Sequence, residues 1–325
     1  MEDLDKWKKA GKIAAEVREY GKSLVAPGKT VLEITELLEK KIEELGAKPA
    51  FPPQLSLNEA AAHECADPDD NVVLLDQLVK VDVGVHIDGW AADTAFSLDL
   101  ENNEENKKLI KAGEEALENA LNLVKSRIEV NEKNKVNDDK VGSSIKDTSS
   151  GLVGGNELIG LDEIGKTIQE TIESHGFTPV ANLSGHSIGH YDLHSGITVP
   201  NIDNKVNLKL KEGLYAIEPF ATNGNGKVHD GKPSGIYYLL NEKTPRSPLG
   251  REVLSFIIKE YQTLPFCSRW IVKALGSKAL FGLRELEANG NLHHFAQLVE
   301  AQNSIVSQAE QTILIEKNKV TVTTL

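Results

Sequence analysis

Two helical stretches separated by one constant interval constrain this chain most. Ile34, Leu38, Ile42, Glu43, Gly46 and Pro49 recur as Ile164, Ile168, Ile172, Glu173, Gly176 and Pro179, every pair 130 residues apart. Helical periodicity alone can repeat isoleucines. It does not supply a Glu, a Gly and a Pro at one fixed offset. The spacing therefore points to an internal duplication, with two similar α+β halves and a site at their seam. A chain of 325 residues is long enough for both halves in one fold.

Around this pair, apolar spacing predicts an opening amphipathic helix through Leu4, Trp7, Ile13, Ala14 and Val17, broken at Pro27 and Gly28. Thr30 and Glu33 give a capping-box signature for the next helix. Its apolar stripe is Ile34, Leu37, Leu38, Ile42 and Leu45, and Gly46 stands at its stop. Further helices are expected over residues 104–126 and 162–175. Residues 127–160 are polar and aperiodic, which predicts a flexible surface insertion joining the halves. Its GLVGG lacks the following GK[ST] that a phosphate loop needs. Residues 246–300 regain helical spacing with Phe256, Tyr261, Phe266, Trp270 and Phe281, and read as a helical subdomain inserted late in the second half.

Composition removes several function classes. Asp plus Glu number 49 against 36 Lys plus Arg, a net charge of −13. That balance argues against a nucleic-acid binder with a basic face. No run of 18 apolar residues occurs and residues 1–22 are charged throughout, so neither a membrane span nor a secretory leader is expected. Cys65 and Cys267 are too few for a disulfide framework and read as free thiols in a reducing cytoplasm.

The strongest local signal is VKVDVGVHIDGWAADTAFSLDL. Val79, Val81, Val83, Val85 and Ile87 alternate with Lys80, Asp82, Gly84 and His86, and Asp88-Gly89 is a hairpin turn. In that register Ile87 pairs with Trp90, Asp82 faces Ala95, and Asp93 faces Gly84. Both aspartates then share one face as diagonal neighbours, about 7–8 Å apart at the backbone. Gly84 and Ala95 leave that face uncrowded. Two such carboxylates are costly unless solvated or joined by a cation, and the hairpin alone leaves both open. Glu218 ends the apolar strand in LKEGLYAIEPFAT, and Glu310 interrupts NSIVSQAEQTILIE in the same way. His186, His190 and His194 lie four apart, but Gly185, Gly189 and Gly196 make a helix improbable there; taken alone, each is an ordinary loop histidine.

Six segments, AFPPQLSLNEAAAH, KVDVGVHIDGWAADTAF, NLSGHSIGHYDLHSG, YAIEPFAT, TLPFCSRW and QAEQTILIE, together resemble the motifs of type II methionine aminopeptidases, in order and over nearly the whole chain. The resemblance implies the pita-bread fold, an α+β architecture of two pseudo-symmetric halves around a dinuclear metal site. The first half would be residues 1–126 and the second 161–325, with a helical insertion at about 246–300. A long charged N-terminal extension is absent, which makes the chain look archaeal. Carried over by position, the metal ligands would be Asp82, Asp93, His186, Glu218 and Glu310, holding two divalent ions (Co, Mn, Fe(II) or Zn). Hydroxide from that centre would attack the scissile carbonyl. Glu218 would handle the nucleophile's proton, and His63 and His194 would bind and stabilise the peptide. Phe51, Pro52, Leu193 and Phe220 would wall the methionine pocket, and an apolar wall suits a thioether.

The same resemblance implies a monomeric cytoplasmic enzyme acting on the N-terminal methionine of nascent chains close to the ribosome, with no nucleic-acid or membrane partner. There are departures. Relatives usually carry phenylalanine and histidine where this chain has Ala309 and Gln311, which puts the support of Glu310 in question. Two rival readings share the fold: a non-catalytic binding protein, which characteristically loses ligands, and a proline-directed peptidase (prolidase or aminopeptidase P), which carries an extra N-terminal domain. Other candidates have plainer readings. His86 is expected to be a supporting or surface residue, His293 and His294 to be solvated, Cys65 to be a bystander, and residues 223–227 to form a tight turn.

Overall fold

The computed structural model describes residues 2–140, 159–316 and 319–325. The first half begins with α1 (Glu2–Leu24), which lays Ala10, Ile13, Ala14 and Val17 onto the sheet. In α2 (Val31–Glu44), Thr30 Oγ1 accepts the Glu33 N–H at 3.1 Å, and Ile34, Leu38 and Ile42 are fully buried. Each such side chain contributes about 1.5–3 kcal/mol. Only half of the predicted capping box forms, because the Glu33 carboxylate pairs with Lys29. Then come β1 (Lys48–Pro49), β2 (Gln54–Leu57), β3 (Ala60–Ala62), β4 (Leu78–Ile87), β5 (Trp90–Asp99) and α3 (Glu104–Lys140).

The second half repeats the pattern with α4 (Leu161–Ser174), β6 (Thr178–Pro179), β7 (Ser184–Ile188), β8 (Thr198–Pro200), β9 (Gly213–Ile217) and β10 (Phe220–Thr222). The first residues of α4 and β6, Leu161 and Thr178, stand 130 positions after Val31 and Lys48, the first residues of α2 and β1. Both helices stop at left-handed glycines, Gly46 at φ 77° and Gly176 at φ 83°. The duplicated interval is thus a repeated helix-turn-strand unit.

The chain continues through β11 (His229–Leu239), α5 (Pro248–Glu260), β12 (Phe266–Cys267), α6 (Ser268–Leu275), α7 (Ala279–Ala288), β13 (Leu292–Val299), β14 (Val306–Gln308), β15 (Glu310–Glu316) and β16 (Lys319–Val322). Nine strands form one antiparallel sheet along the path β1-β4-β5-β15-β9-β7-β8, with β2 added on β4 and β16 on β15. Strand β15 joins the halves: Glu310 pairs with Ala95 on one side and Gln311 with Ile217 on the other. Two smaller sheets, β14-β10-β6 and β12-β11-β13-β3, flank it. Among the described residues, no helix is long and apolar enough to cross a membrane.

Several expectations are corrected. Helix α3 runs to Lys140, well into the stretch predicted as a flexible insertion from 127. Once a helix is nucleated, Glu- and Lys-rich residues extend it without needing an apolar stripe. Residues 141–158 of that insertion lie outside the described residues. The helical insertion ends at Ala288, and the remainder up to about 300 is β13, which pairs with β11 and β3. On it His294 is not free in solvent: its ring stacks on Tyr237 at 4.1 Å and pairs with Glu287 at 3.0 Å. The helical insertion is tied to α2 by a buried bidentate pair, Arg269 with Glu39, and the Trp270 indole N–H donates to the same carboxylate at 2.7 Å.

His86 is buried rather than a surface residue. Its Nδ1 accepts the Gly89 N–H at 3.0 Å and so locks the hairpin turn. Burial, aided by Lys48, pushes its pKa down to about 4. The unfolded imidazole takes up its proton near pH 6.5 and the folded one only near 4. Its stability contribution is therefore complete above pH 6.5 and is lost as pH falls towards 4, by roughly 3 kcal/mol at most. Urea unfolding of wild type and His86→Leu at pH 7, 6 and 5 should show a shallower acid decline in the variant. Equal slopes would mean that His86 titrates normally.

Candidate metal centre

The hairpin forms in the expected register. Ile87 pairs with Trp90, Gly84 with Asp93 and Asp82 with Ala95, and the turn residues Asp88 and Gly89 have φ of 49° and 84°. That is the backbone of a type I′ turn, which matches strand twist. Residues directly opposite on neighbouring strands share a face, so the pairing builds rows across the sheet. One row runs from Asp82 through Ala95 to Glu310. One step beyond the paired Ile217, Glu218 continues it.

The adjacent row runs from Gly84 to Asp93 and then to Thr312, whose hydroxyl bonds both the N–H and the C=O of Asp93 at 2.9 and 2.8 Å. Thr312 pairs with Ala216, and Ala216 with His186. Ala95 separates Asp82 from Glu310 in the first row, and Thr312 and Ala216 separate Asp93 from His186 in the second. The space over Gly84 is not empty, as expected from sequence, but filled by Phe51. A Cβ at Gly84 would lie 2.1 Å from that ring.

Asp93, His186 and Glu310 present ligand atoms all within 4.8 Å of one another, and Asp82 and Glu218 border the same cavity outside this tightest set. His186 Nε2 is 3.7 Å from Asp93 Oδ2 and 3.9 Å from Glu218 Oε1. The carboxylates repel. Burial, then the charges of Asp82 and Glu218, holds Asp93 well above the usual carboxylate range, and Glu310 is raised by burial and by Asp93. Burial and Asp82 likewise raise Glu218, and burial lifts Asp82 to about 6. Burial pushes His186 down to about 3.

Asp82 Oδ1, Asp93 Oδ1 and both Glu310 oxygens are buried without a hydrogen-bond donor. Such orphaned acceptors, gathered around one imidazole, fit divalent cations with a mainly oxygen shell. Ala309 and Gln311 line a different cavity, with Arg18, Glu114 and Leu117. Neighbours of Glu310 along the strand thus leave its position beside Asp93 and His186 intact.

The cavity of about 330 Å³ is walled by Phe51, Leu193 and Phe220, joined by Ile236, Pro265 and Phe295. Pro52 is buried but does not line it, so only one of the two expected residues reaches the pocket. His63 stands on its rim at φ 63°, its N–H held by Gln54 Oε1 at 2.6 Å. Its Nδ1 lies 3.1 Å from the Ala296 carbonyl. A carbonyl only accepts, so Nδ1 carries the hydrogen and Nε2 keeps its lone pair. Burial pushes this ring to about 4, and neutrality is its resting state. His194 is exposed at the cavity and meets His186 edge-on at 4.4 Å. His190 instead donates to the Asp88 carbonyl and packs on Trp90. Gln308 and Thr312, which support the aspartates, have no role legible in the sequence, although both stand two residues from Glu310. Phe295 and Ile236 carry no local signal at all.

Known proteins share the sequence and the fold. The metallopeptidase family M24 model matches residues 5–141. The chain is 39% identical to the methionine aminopeptidase of Methanocaldococcus jannaschii, across 100% of this chain and 99% of that one. Among solved structures, it superposes on the methionine aminopeptidase of Thermotoga maritima with a TM-score of 0.64 at 23% identity, covering 99% and 96% of the two chains. A thermophilic Arx1 gives a TM-score of 0.79 at 17% identity, covering 99% and 90%. Likeness at those identities establishes the shared pita-bread architecture. Full-length identity to the M. jannaschii enzyme establishes more: the chain belongs to the methionine aminopeptidases, pita-bread members of the M24 metallopeptidases.

Proposed function

We propose that this chain is a metal-dependent aminopeptidase that removes methionine from the N-terminus of new polypeptides. The observation that carries the reading is the two-row array of five donors, with its buried carboxylate oxygens left without partners. Asp82, Asp93, His186, Glu218 and Glu310 would hold two divalent ions, with Mn, Fe(II), Co and Zn all compatible with one imidazole and four carboxylates. When bound, such ions supply Lewis acidity for the scissile carbonyl and ease deprotonation of water.

The remaining work belongs to side chains. Phe51, Leu193 and Phe220 seat the methionine thioether in an apolar wall. At about 330 Å³ the cavity stands at the small end of ligand pockets, enough for one residue and the bond beyond it. His63 offers the Nε2 lone pair to a peptide N–H, and His194 steadies the reacting carbonyl from the mouth. Glu218 takes the proton of the attacking water on its carboxylate and passes it to the departing amine as the C–N bond breaks. New chains carry such a substrate as they leave the ribosome, and the proposed setting is therefore the cytoplasm close to it, with the chain acting as a monomer. Protein stripped with EDTA should lose hydrolysis of Met-Ala-Ser and regain it with Mn²⁺ or Co²⁺. Undiminished hydrolysis by metal-free protein would defeat the reading.

A further inference from the structure

We infer that Gln308 is a positioning residue of the metal centre, fixing the orientation of the Asp82 carboxylate so that one oxygen stays free for a cation. The inference rests on the metallopeptidase reading above. Gln308 is 2% exposed and does not line the substrate cavity. Its Nε2 donates to Asp82 Oδ2 at 3.3 Å, while Asp82 Oδ1 has no partner. Among the described residues, Asp82 is the one carboxylate of the four that receives a hydrogen bond from a neutral side chain. The amide thereby divides the two oxygens: one is held, the other is left bare.

The backbone that carries this amide is anchored. The Ser97 hydroxyl accepts the Gln308 backbone N–H at 2.9 Å and donates to the Gln308 backbone C=O at 2.8 Å. At the other end of β14, Lys80 Nζ donates to the Val306 carbonyl at 3.0 Å and to the Asn58 carbonyl at 2.9 Å. Lys80 thus directs its hydrogen bonds to the backbone rather than to Asp82. Strand β14 is pinned to β4 and β5 at two successive rungs, and the second rung ends on a metal-facing aspartate. A neutral donor suits this position, because it orients the carboxylate without neutralising the charge a cation needs.

The test is a calorimetric titration of metal-free wild type, Gln308→Met and Ser97→Ala with Mn²⁺, beside steady-state kinetics on Met-Ala-Ser at saturating Mn²⁺. Methionine preserves shape and removes the donor. Gln308→Met should weaken Mn²⁺ binding by about 10- to 100-fold. Its KM should stay within about threefold of wild type while kcat falls, because the peptide pocket is untouched. Ser97→Ala should shift binding the same way by a smaller factor, and it carries the test alone if Gln308→Met does not fold. A merely structural role would lower thermal stability and leave the Mn²⁺ affinity of folded protein unchanged, and that result would overturn the inference. Wild type that binds no Mn²⁺ would instead overturn the metallopeptidase reading, and this inference with it.

Discussion

Asp93→Ala and Glu310→Ala should each lose bound divalent metal and peptidase activity together, by about 10³-fold or more in kcat/KM at near-stoichiometric metal. Both side chains are nearly inaccessible, at 3% and 2% exposed, and both contribute to the set of ligand atoms within 4.8 Å. Removing either leaves an incomplete shell that water must fill. Metal-free protein should respond in the opposite direction. Asp93 and Glu310 repel each other and Asp82, which is part of why burial and neighbouring charge hold both carboxyls high. Deleting one relieves that repulsion, so the apo variants should melt roughly 1–3 °C above apo wild type. His186→Ala should lower metal content in the same way. Wild-type turnover at stoichiometric metal in any of these variants would remove that residue from the site.

The rim histidines should behave differently. His63→Ala and His194→Ala should keep metal content near wild type, yet turnover should fall by about 10² to 10⁴. His63 keeps a lone pair on Nε2 because Nδ1 is committed to the Ala296 carbonyl, and its ring is neutral at working pH. His194 touches His186 only edge-on and is exposed. Neither is needed to complete the carboxylate array. Metal analysis beside kinetics on Met-Ala-Ser separates the two roles, and loss of metal in His63→Ala would mean that the rim and the centre have been confused.

What the sequence made legible was local. The Asp82–Asp93 hairpin could be registered to the residue because strict alternation and an Asp-Gly turn leave one pairing. The helix-turn-strand repeat was equally visible, through Gly46 and Gly176. The rows that bring Glu310, Glu218 and His186 to the hairpin were not, because β15 meets β5 only after more than 200 residues of intervening chain. No periodicity encodes such a pairing; the ligand set came from motif resemblance. Composition misled where it stood in for structure. The polar residues after 126 looked like loop although they continue α3, and β13 was hidden behind the helices that precede it. Phe51 and Pro52 looked like a pair, yet only Phe51 needs Gly84 to be without a side chain. Gln308 was invisible for a different reason: an amide two residues from a ligand has no meaning until its partner, 226 positions away, is known.

Whether the buried array acts on an N-terminal methionine is read from hydrolysis of Met-Ala-Ser, Met-Pro-Ser and Ala-Pro-Ser by Mn²⁺-loaded protein, with metal-free protein as control. Methionine should be released from Met-Ala-Ser, Ala-Pro-Ser should stay intact, and metal-free protein should be inactive. Preferred cleavage of Ala-Pro-Ser would identify a proline-directed peptidase. No cleavage of any peptide by protein that demonstrably binds Mn²⁺ would contradict the catalytic reading altogether.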